Sequence, residues 1–238
     1  MRFSSAVLQC LVSLSLLLVP AAAMPKSKKA SWRAPLDCPL DQNGWVSQDF
    51  EGKTRNRLTC RGGALNIASK GSISLHAIAP PSEFAKAKTL TWDWRVGKSV
   101  GVSDLTRKGS DDRSLAVLVA FRFDPASASF AERLLRPLVE ARQGEAAPGR
   151  VLAYTWVEAG GRSPSGMMKS PFGGDAHRIV PLARPLGRWR REKIDLSADY
   201  RKAFGPGPFA VQYVAIAADT DDLGGRAEAM IRELSLAR

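Results

Sequence analysis

The feature that most constrains the fold is a strict alternation of apolar and polar residues between positions 89 and 96. In an extended chain Leu90, Trp92, Trp94 and Val96 point to one side, and the intervening polar residues point to the other. This period of two is typical of a β-strand with one buried face, whereas an amphipathic helix needs a period of about 3.6. Similar short segments recur between glycines and prolines, so the sequence predicts a mainly β protein.

Further strands are predicted where apolar residues alternate or run continuously between turn signals. They comprise residues 64–68, 72–79, 115–123, 151–157, 177–182, 188–196 and 209–218. Residues 227–236 alternate like a strand, although their Ala, Glu and Met would also suit a helix. Many strands with few helices favour an antiparallel β-sandwich of the jelly-roll or galactose-binding-like kind.

Two segments depart from the strand pattern. Residues 126–143 carry apolar residues at helical spacing, which predicts a helical insertion that is kinked or broken at Pro137. Residues 195–204 are predicted to form a short helix with Ser197 as its N-cap.

The first 23 residues have the organisation of a cleavable secretory signal peptide. Arg2 precedes an apolar run at residues 7–19, and Ala21 and Ala23 supply the small-residue cleavage pattern. The run is shorter than the roughly 20 residues that a transmembrane helix needs. No later segment is long and apolar enough to span a bilayer. We therefore expect a periplasmic or secreted protein without a transmembrane segment after cleavage.

The rest of the chain is expected to divide into a basic N-terminal segment and one domain. Residues 24–44 contain Lys26, Lys28, Lys29 and Arg33 and are predicted to be flexible, while residues 45–238 fit a single β-sandwich domain. The formal net charge of +12 favours an anionic envelope component as a partner. A basic surface that is simply solvated fits the charge equally well. No nucleic-acid-recognition pattern is present, so no nucleic acid partner is expected.

Two cysteines, Cys38 and Cys60, remain after the predicted cleavage. An even count in an oxidising compartment favours a disulfide, and two free buried thiols are the alternative. His76 and His177 are the only histidines. Each fits an ordinary surface or hydrogen-bonded residue better than a metal ligand.

An acidic loop with Asp219, Asp221 and Asp222 follows a predicted buried strand and leads into a glycine turn. Alternating carboxylates of this kind can bind calcium, the one cofactor that the sequence suggests. The alternative is a turn in which the carboxylates accept hydrogen bonds from local backbone N–H groups.

A second acidic pair, Asp111 and Asp112, lies before another predicted buried strand. Adjacent carboxylates repel each other unless a cation lies near, and Arg107, Lys108 or Arg113 could supply one. The pair could act as ligand-binding or acid–base groups, or it could be a structural loop whose carboxylates are all paired.

Four aromatic residues, Trp92, Trp94, Tyr154 and Trp156, occupy alternate positions of two predicted strands. If exposed, they would form a platform on which sugar rings stack. If buried, they would be the core of the sandwich.

Several motifs occur in an order that resembles a known family. They are Trp92-Asp93-Trp94-Arg95-Val96, Asp104, Lys108-Gly109-Ser110-Asp111-Asp112 before a strand ending at Phe121, Tyr154-Thr155-Trp156, Ser170-Pro171, Trp189, Arg191, Asp199-Tyr200, Phe204-Gly205 and Asp219-Thr220-Asp221-Asp222. The set resembles the DUF3047 family from about Thr89 to the C-terminus. It departs from the family pattern in the apolar run 115–119 and at Met230 and Ile231. The resemblance implies an exported β-sandwich protein and no particular activity.

Three function classes remain open. The first is a carbohydrate-binding module of the cell envelope. The second is an envelope polysaccharide hydrolase that uses Asp111, Asp112, Asp219 and Asp221, although the sequence lacks the nucleophile-elbow, P-loop, dinucleotide-binding and zincin motifs. The third is a structural or partner-binding envelope protein that uses the basic surface.

Overall fold

A computed structural model of the chain describes residues 30–144, 147–160 and 166–238. The predicted signal peptide and residues 24–29 lie outside the described residues. The described part is a mainly β, two-layer sandwich, as the strand pattern predicted.

The two layers are called sheet A and sheet B. Sheet A contains β1 (Ser31–Arg33), β3 (Arg57–Arg61), β4 (Ala64–Lys70), β6 (Thr89–Lys98), β11 (Arg190–Asp195) and β13 (Arg226–Ala237). Sheet B contains β2 (Val46–Gln48), β5 (Ile73–Ile78), β7 (Arg113–Phe121), β8 (Arg150–Glu158), β9 (Met168–Ser170), β10 (Gly174–Arg184) and β12 (Val211–Asp219). The helices are α1 (Phe130–Gln143) and α2 (Leu196–Phe204), with 3-10 turns at Leu40–Asn43 and Ser82–Phe84.

Most neighbouring strands are antiparallel. Sheet A has the order β11-β6-β13-β4-β3, with β1 beside the end of β13, and sheet B has the order β2-β5-β12-β7-β8-β10-β9. The pair β8 and β10 is parallel, with His177 opposite Val151. A parallel pair needs a crossover connection, and here the chain crosses between Glu158 and Gly174 through β9.

The core lies between the inward faces of the two sheets. Trp92 and Trp94 of β6 pack edge to face with ring centroids 5.2 Å apart. Tyr154 of β8 reaches them from sheet B, 5.6 Å from Trp92 between centroids. Alternation along both strands therefore places the aromatic residues at the contact between the layers.

The segment predicted to be flexible is packed over its described part. Residues 31–33 form β1 against the end of β13. Ala34 and Leu40 are buried in the core, and the predicted disulfide between Cys38 and Cys60 is present, with Cα atoms 5.5 Å apart. Residues 30–44 are therefore packed in the structure and not extended away from it, because these apolar side chains and the disulfide attach the segment to sheet A.

Two details of the helices also differ from the predictions. Helix α1 continues through Pro137 and begins with a capping box, in which Ser129 and Glu132 exchange side-chain and backbone hydrogen bonds. Helix α2 is capped by Asp195, whose carboxylate accepts hydrogen bonds from the N–H groups of Ser197 and Ala198. Ser197 is therefore the second residue of the helix and not its cap.

Candidate functional site

The aromatic residues that could have formed a stacking platform are inaccessible. Trp92, Trp94 and Tyr154 are fully buried, and Trp156 is 3% exposed. The indole of Trp94 donates to Glu192 Oε1 at 2.9 Å inside the sandwich. The structure places these four residues in the sandwich core, the second of the two alternatives, because their shared face is the inward face of the two sheets.

An open groove instead crosses the outer face of sheet B. Its floor is apolar and is formed by Leu75 of β5, Leu118 of β7 and Ala217 of β12. These residues alternate with core residues of the same strands, which is why they point outward. Small side chains on β12 keep the floor low, and the groove has a volume of about 580 Å³. We call this surface the sheet B groove.

The walls of the sheet B groove come from four loops. On one side the loop after β2 contributes Phe50 and Lys53, and on the other side Phe172 and His177 stand before and within β10. The end of the groove is closed by the two acidic loops that the sequence singled out. Phe172 is 59% exposed, so an aromatic ring is available at the rim.

Arg113 organises the acidic end of the groove. Its guanidinium forms an ion pair with Asp111 and lies 3.4 Å from Asp219 through Nε and Oδ2. Its backbone N–H also donates to Asp219 Oδ1 at 2.6 Å. The first residue of β7 therefore holds one carboxylate from each acidic loop, and of the three candidate counter-ions Arg113 is the one that pairs.

Asp112 has a structural position. Its two carboxylate oxygens accept the backbone N–H groups of Asp222 and Leu223, each at 3.1 Å. The side chain ties the loop before β7 to the loop after β12, and it does not line the sheet B groove. The adjacent pair thus separates into Asp111, which faces the groove, and Asp112, which joins the two loops.

The three predicted metal ligands do not converge. Asp219 pairs with Arg113, and Asp221 pairs with Lys53 at 2.7 Å. Within the described ranges no group of three or more acidic, histidine or cysteine side chains is arranged to hold a metal ion. The alternative was a turn whose carboxylates accept hydrogen bonds from local backbone N–H groups. Asp219 and Asp221 instead bind partners that are distant in sequence. Asp222 is exposed at the groove edge.

Burial shifts the pKa values of three side chains that line the groove. Burial raises the pKa of Asp219 to about 7, although Arg113 opposes this change. Burial also raises the pKa of Asp111 against the opposing charge of Arg113, and among the described residues its Oδ1 has no hydrogen-bond partner. Burial, assisted by Arg113, lowers the pKa of His177 to about 4, so the imidazole is neutral near pH 7.

Sequence reasoning missed several residues of the groove. Phe172 lies in a segment rich in Gly, Ser and Pro that has no periodicity, so nothing marked its ring as exposed. The ammonium group of Lys108 lies 5.3 Å from the centroid of this ring and helps to position it. Lys53 and the apolar floor residues also gave no local signal, because only the sheet topology brings them to one surface.

The fold and the groove define a two-layer β-sandwich with an open, partly acidic cleft on one sheet. The chain belongs to the DUF3047 family, described as a protein of unknown function, which matches residues 43–235. A search of curated protein sequences finds no match.

Solved structures with a similar fold include two carbohydrate-binding modules. A family 29 module in complex with cellulohexaose is 12% identical with a TM-score of 0.40, and the match covers 89% of this chain and 93% of that chain. A family 11 module from Clostridium thermocellum, in complex with a β-1,3-1,4-mixed-linked tetrasaccharide, is 9% identical with a TM-score of 0.43 and coverage of 89% and 97%. Similarity this low does not transfer a binding site to this chain. No helix in the described part is long and apolar enough to cross a membrane.

Proposed function

We propose that this protein is a carbohydrate-binding module and that the sheet B groove is its binding site. The observation that carries the proposal is the combination of an exposed ring, Phe172, with the carboxyl groups of Asp219 and Asp222 over an apolar floor. A sugar ring presents C–H groups that stack on an aromatic face and hydroxyl groups that donate to carboxylates. The volume of about 580 Å³ lies within the range of small-ligand sites.

The charge of the groove restricts the class of sugar. Two cationic side chains, Lys53 and Arg113, line it together with six acidic residues: Asp49, Glu51, Asp111, Asp219, Asp221 and Asp222. The chain as a whole has a formal net charge of +12, so the groove is an acidic region on a basic protein. An acidic glycan would be repelled there, and a neutral or amino-bearing sugar is favoured.

We further propose that the protein works outside the cytoplasm. The predicted signal peptide and the disulfide between Cys38 and Cys60 support this location. Detection of the mature protein in periplasmic and culture fractions, with its N-terminus sequenced, tests the location and the predicted cleavage before Met24. A cytoplasmic protein that retains Met1 would contradict it.

A glycan array followed by calorimetric titration tests the binding proposal. We expect neutral or amino-bearing oligosaccharides to bind, and Phe172→Ala to weaken the best ligand about tenfold, since a stacking contact of this kind is worth roughly 1 kcal/mol or more. Leu186→Ala is the matched control, because Leu186 is an exposed apolar residue outside the groove. Equal affinities of wild type and Phe172→Ala would place binding elsewhere, and an array without any bound glycan would reject the proposal.

A second candidate, a polysaccharide hydrolase, is favoured by one observation. Asp219 has a pKa of about 7, and Asp111 reaches the same guanidinium from the opposite loop, with Oδ1 unpartnered in the described residues. A carboxylic acid that stays protonated near neutral pH beside a carboxylate is the pair that glycosidic cleavage uses. Asp112 and Asp221 fit this role less well, because each is engaged by other groups.

Product analysis separates binding from hydrolysis. Incubation of the bound oligosaccharide with wild type, followed by chromatography of the products, would show shorter fragments if the protein cleaves, and Asp219→Asn would abolish them. An intact oligosaccharide after prolonged incubation would leave binding as the function.

A further inference from the structure

Helix α1 presents its apolar side to solvent. Phe130, Leu134, Leu135 and Leu138 are 75%, 66%, 54% and 56% exposed. Their spacing places them on one side of the helix, and we call this surface the apolar helix face. A helix that only covers a sandwich would point these side chains inward, so this face requires an explanation.

The opposite side of α1 is polar and faces the protein. Glu132 forms an ion pair with Arg150 at 2.9 Å, and Arg150 is buried and also donates to Tyr200 of α2. Arg136 packs over the ring of Phe123, 4.6 Å from its centroid. These contacts fix the orientation of the helix, and the apolar helix face is therefore held outward by an ion pair and a cation–π contact.

Among the described side chains of α1 and α2, the charged ones in the exposed class are cationic. Glu132 and Glu140 each pair with an arginine, whereas Arg133 lies exposed on α1. Helix α2 lies beside α1 through their shared contact with Arg150, and it exposes Arg201 and Lys202. An outward apolar stripe with cations at its flanks is the pattern of a helix that lies in the surface of a bilayer.

We propose that the apolar helix face docks the protein onto an anionic lipid surface. Phe130 and the leucines enter the boundary between headgroups and acyl chains, and the neighbouring cations contact the anionic headgroups. A second copy of the chain is a poorer occupant, because two basic surfaces would approach each other. The net charge of +12 favours the lipid surface in the same way. This inference is independent of the proposed carbohydrate site.

Sedimentation with vesicles tests the docking proposal. The purified protein is mixed with vesicles of equal parts phosphatidylglycerol and phosphatidylcholine, or of phosphatidylcholine alone. We expect binding to the anionic vesicles only, a decrease with added salt, and a loss of about tenfold or more in the Leu134→Ser/Leu138→Ser double variant. Val46→Ser/Leu186→Ser removes two exposed apolar side chains elsewhere and serves as the matched control.

The substituted side chains are exposed, so the double variant should keep the circular dichroism spectrum of wild type. If the double variant does not fold, the single variant Leu138→Ser is used in its place. Wild type that stays in the supernatant with anionic vesicles would overturn the proposal. Equal loss of binding in the test and control variants would also overturn it. A dimer in sedimentation velocity that the Leu134→Ser/Leu138→Ser variant dissociates, without vesicle binding, would assign the face to a second copy and reject the lipid surface.

Discussion

Asp219 shows how burial gives a single residue an unusual titration. Its pKa rises from 3.8 to about 7 because the carboxyl group is removed from water, despite the nearby Arg113. Between about pH 4 and pH 7 the folded protein therefore holds a proton that the unfolded chain has lost. The stability contributed by this group falls as the pH rises through that window.

The corresponding prediction compares wild type with Asp219→Asn. The unfolding free energy of wild type relative to the variant should fall by up to about 1.4 kcal/mol per pH unit between about pH 4 and pH 7. Urea unfolding at several pH values measures this difference in unfolding free energy. The contribution of His177 to the pH dependence cancels in the difference, because both proteins contain this residue. Asp175→Asn is the control, since Lys169 and Arg178 lower the pKa of that exposed carboxyl group. A difference that does not depend on pH would contradict the burial of Asp219.

The sequence predicted which acidic residues lie near the groove better than it predicted the partner that each of them binds. Asp111, Asp219 and Asp221 line one groove, but Asp221 pairs with Lys53, and Asp112 joins the two loops outside the groove. Residues that are adjacent in sequence share a loop, but their side chains point in different directions. Only the register of β7 beside β12, with Arg113 opposite Asp219, decides which oxygen meets which cation. That register is a property of the assembled sheet and is not visible in either loop.

Glu132 attaches helix α1 to the sandwich and also caps it. Glu132 contributes to the capping box and neutralises the buried Arg150. Burial alone would raise the pKa of Glu132, but hydrogen bonds from Arg150 and Ser129 outweigh it and lower that pKa. Removing Glu132 leaves a buried guanidinium without its carboxylate. The helix itself has no buried residue that could replace this attachment among its described side chains.

We therefore predict that Glu132→Ala lowers the unfolding free energy by roughly 3 kcal/mol and raises hydrogen exchange throughout α1. Glu140→Ala is the matched control, because its pair with Arg136 is more exposed and should be worth about 0.5 kcal/mol or less. Urea unfolding and hydrogen exchange measure both effects. Similar small losses in the two variants would mean that other contacts hold the helix.

Elements with strong periodicity were predictable, and short edge elements were not. The alternation in β13 outweighed the helix propensity of its Ala, Glu and Met residues, because the strand pairs with both β4 and β6. Pro137 did not break α1, since Pro137 and Arg133, whose carbonyl group loses its N–H donor, are both exposed to solvent. Strands of three residues, such as β1 and β9, exist only through pairing with a longer strand and leave no periodic pattern.

For the whole molecule, the disulfide joins the N-terminal segment to sheet A. Cys38 and Cys60 are 22 residues apart, so the cross-link restricts a loop of the unfolded chain. We predict that Cys38→Ser/Cys60→Ser lowers the unfolding free energy by about 3 kcal/mol, measured by urea unfolding. Reduced wild type should match the variant. A variant as stable as oxidised wild type would show that the packing of Ala34 and Leu40 suffices.

The two-layer architecture followed from strand count and alternation, and the position of the groove did not. Alternation indicates that one face of each strand is buried, and it placed the aromatic residues correctly together. It does not indicate which of two apolar faces is inward, and β7 and β12 are apolar on both. The sequence therefore did not indicate that the outer face of sheet B carries an open groove. No periodic pattern marked Phe172, beside this face, as exposed.

Amide chemical shifts show whether a sugar binds in the sheet B groove. The oligosaccharide with the strongest array signal is titrated into the isotopically labelled protein. We expect shifts concentrated at Leu75, Leu118, Phe172, Ala217 and Asp222. Shifts concentrated instead on the outer face of sheet A, around the cleft of about 400 Å³ lined by Arg57, Asn66 and Glu228, would contradict it.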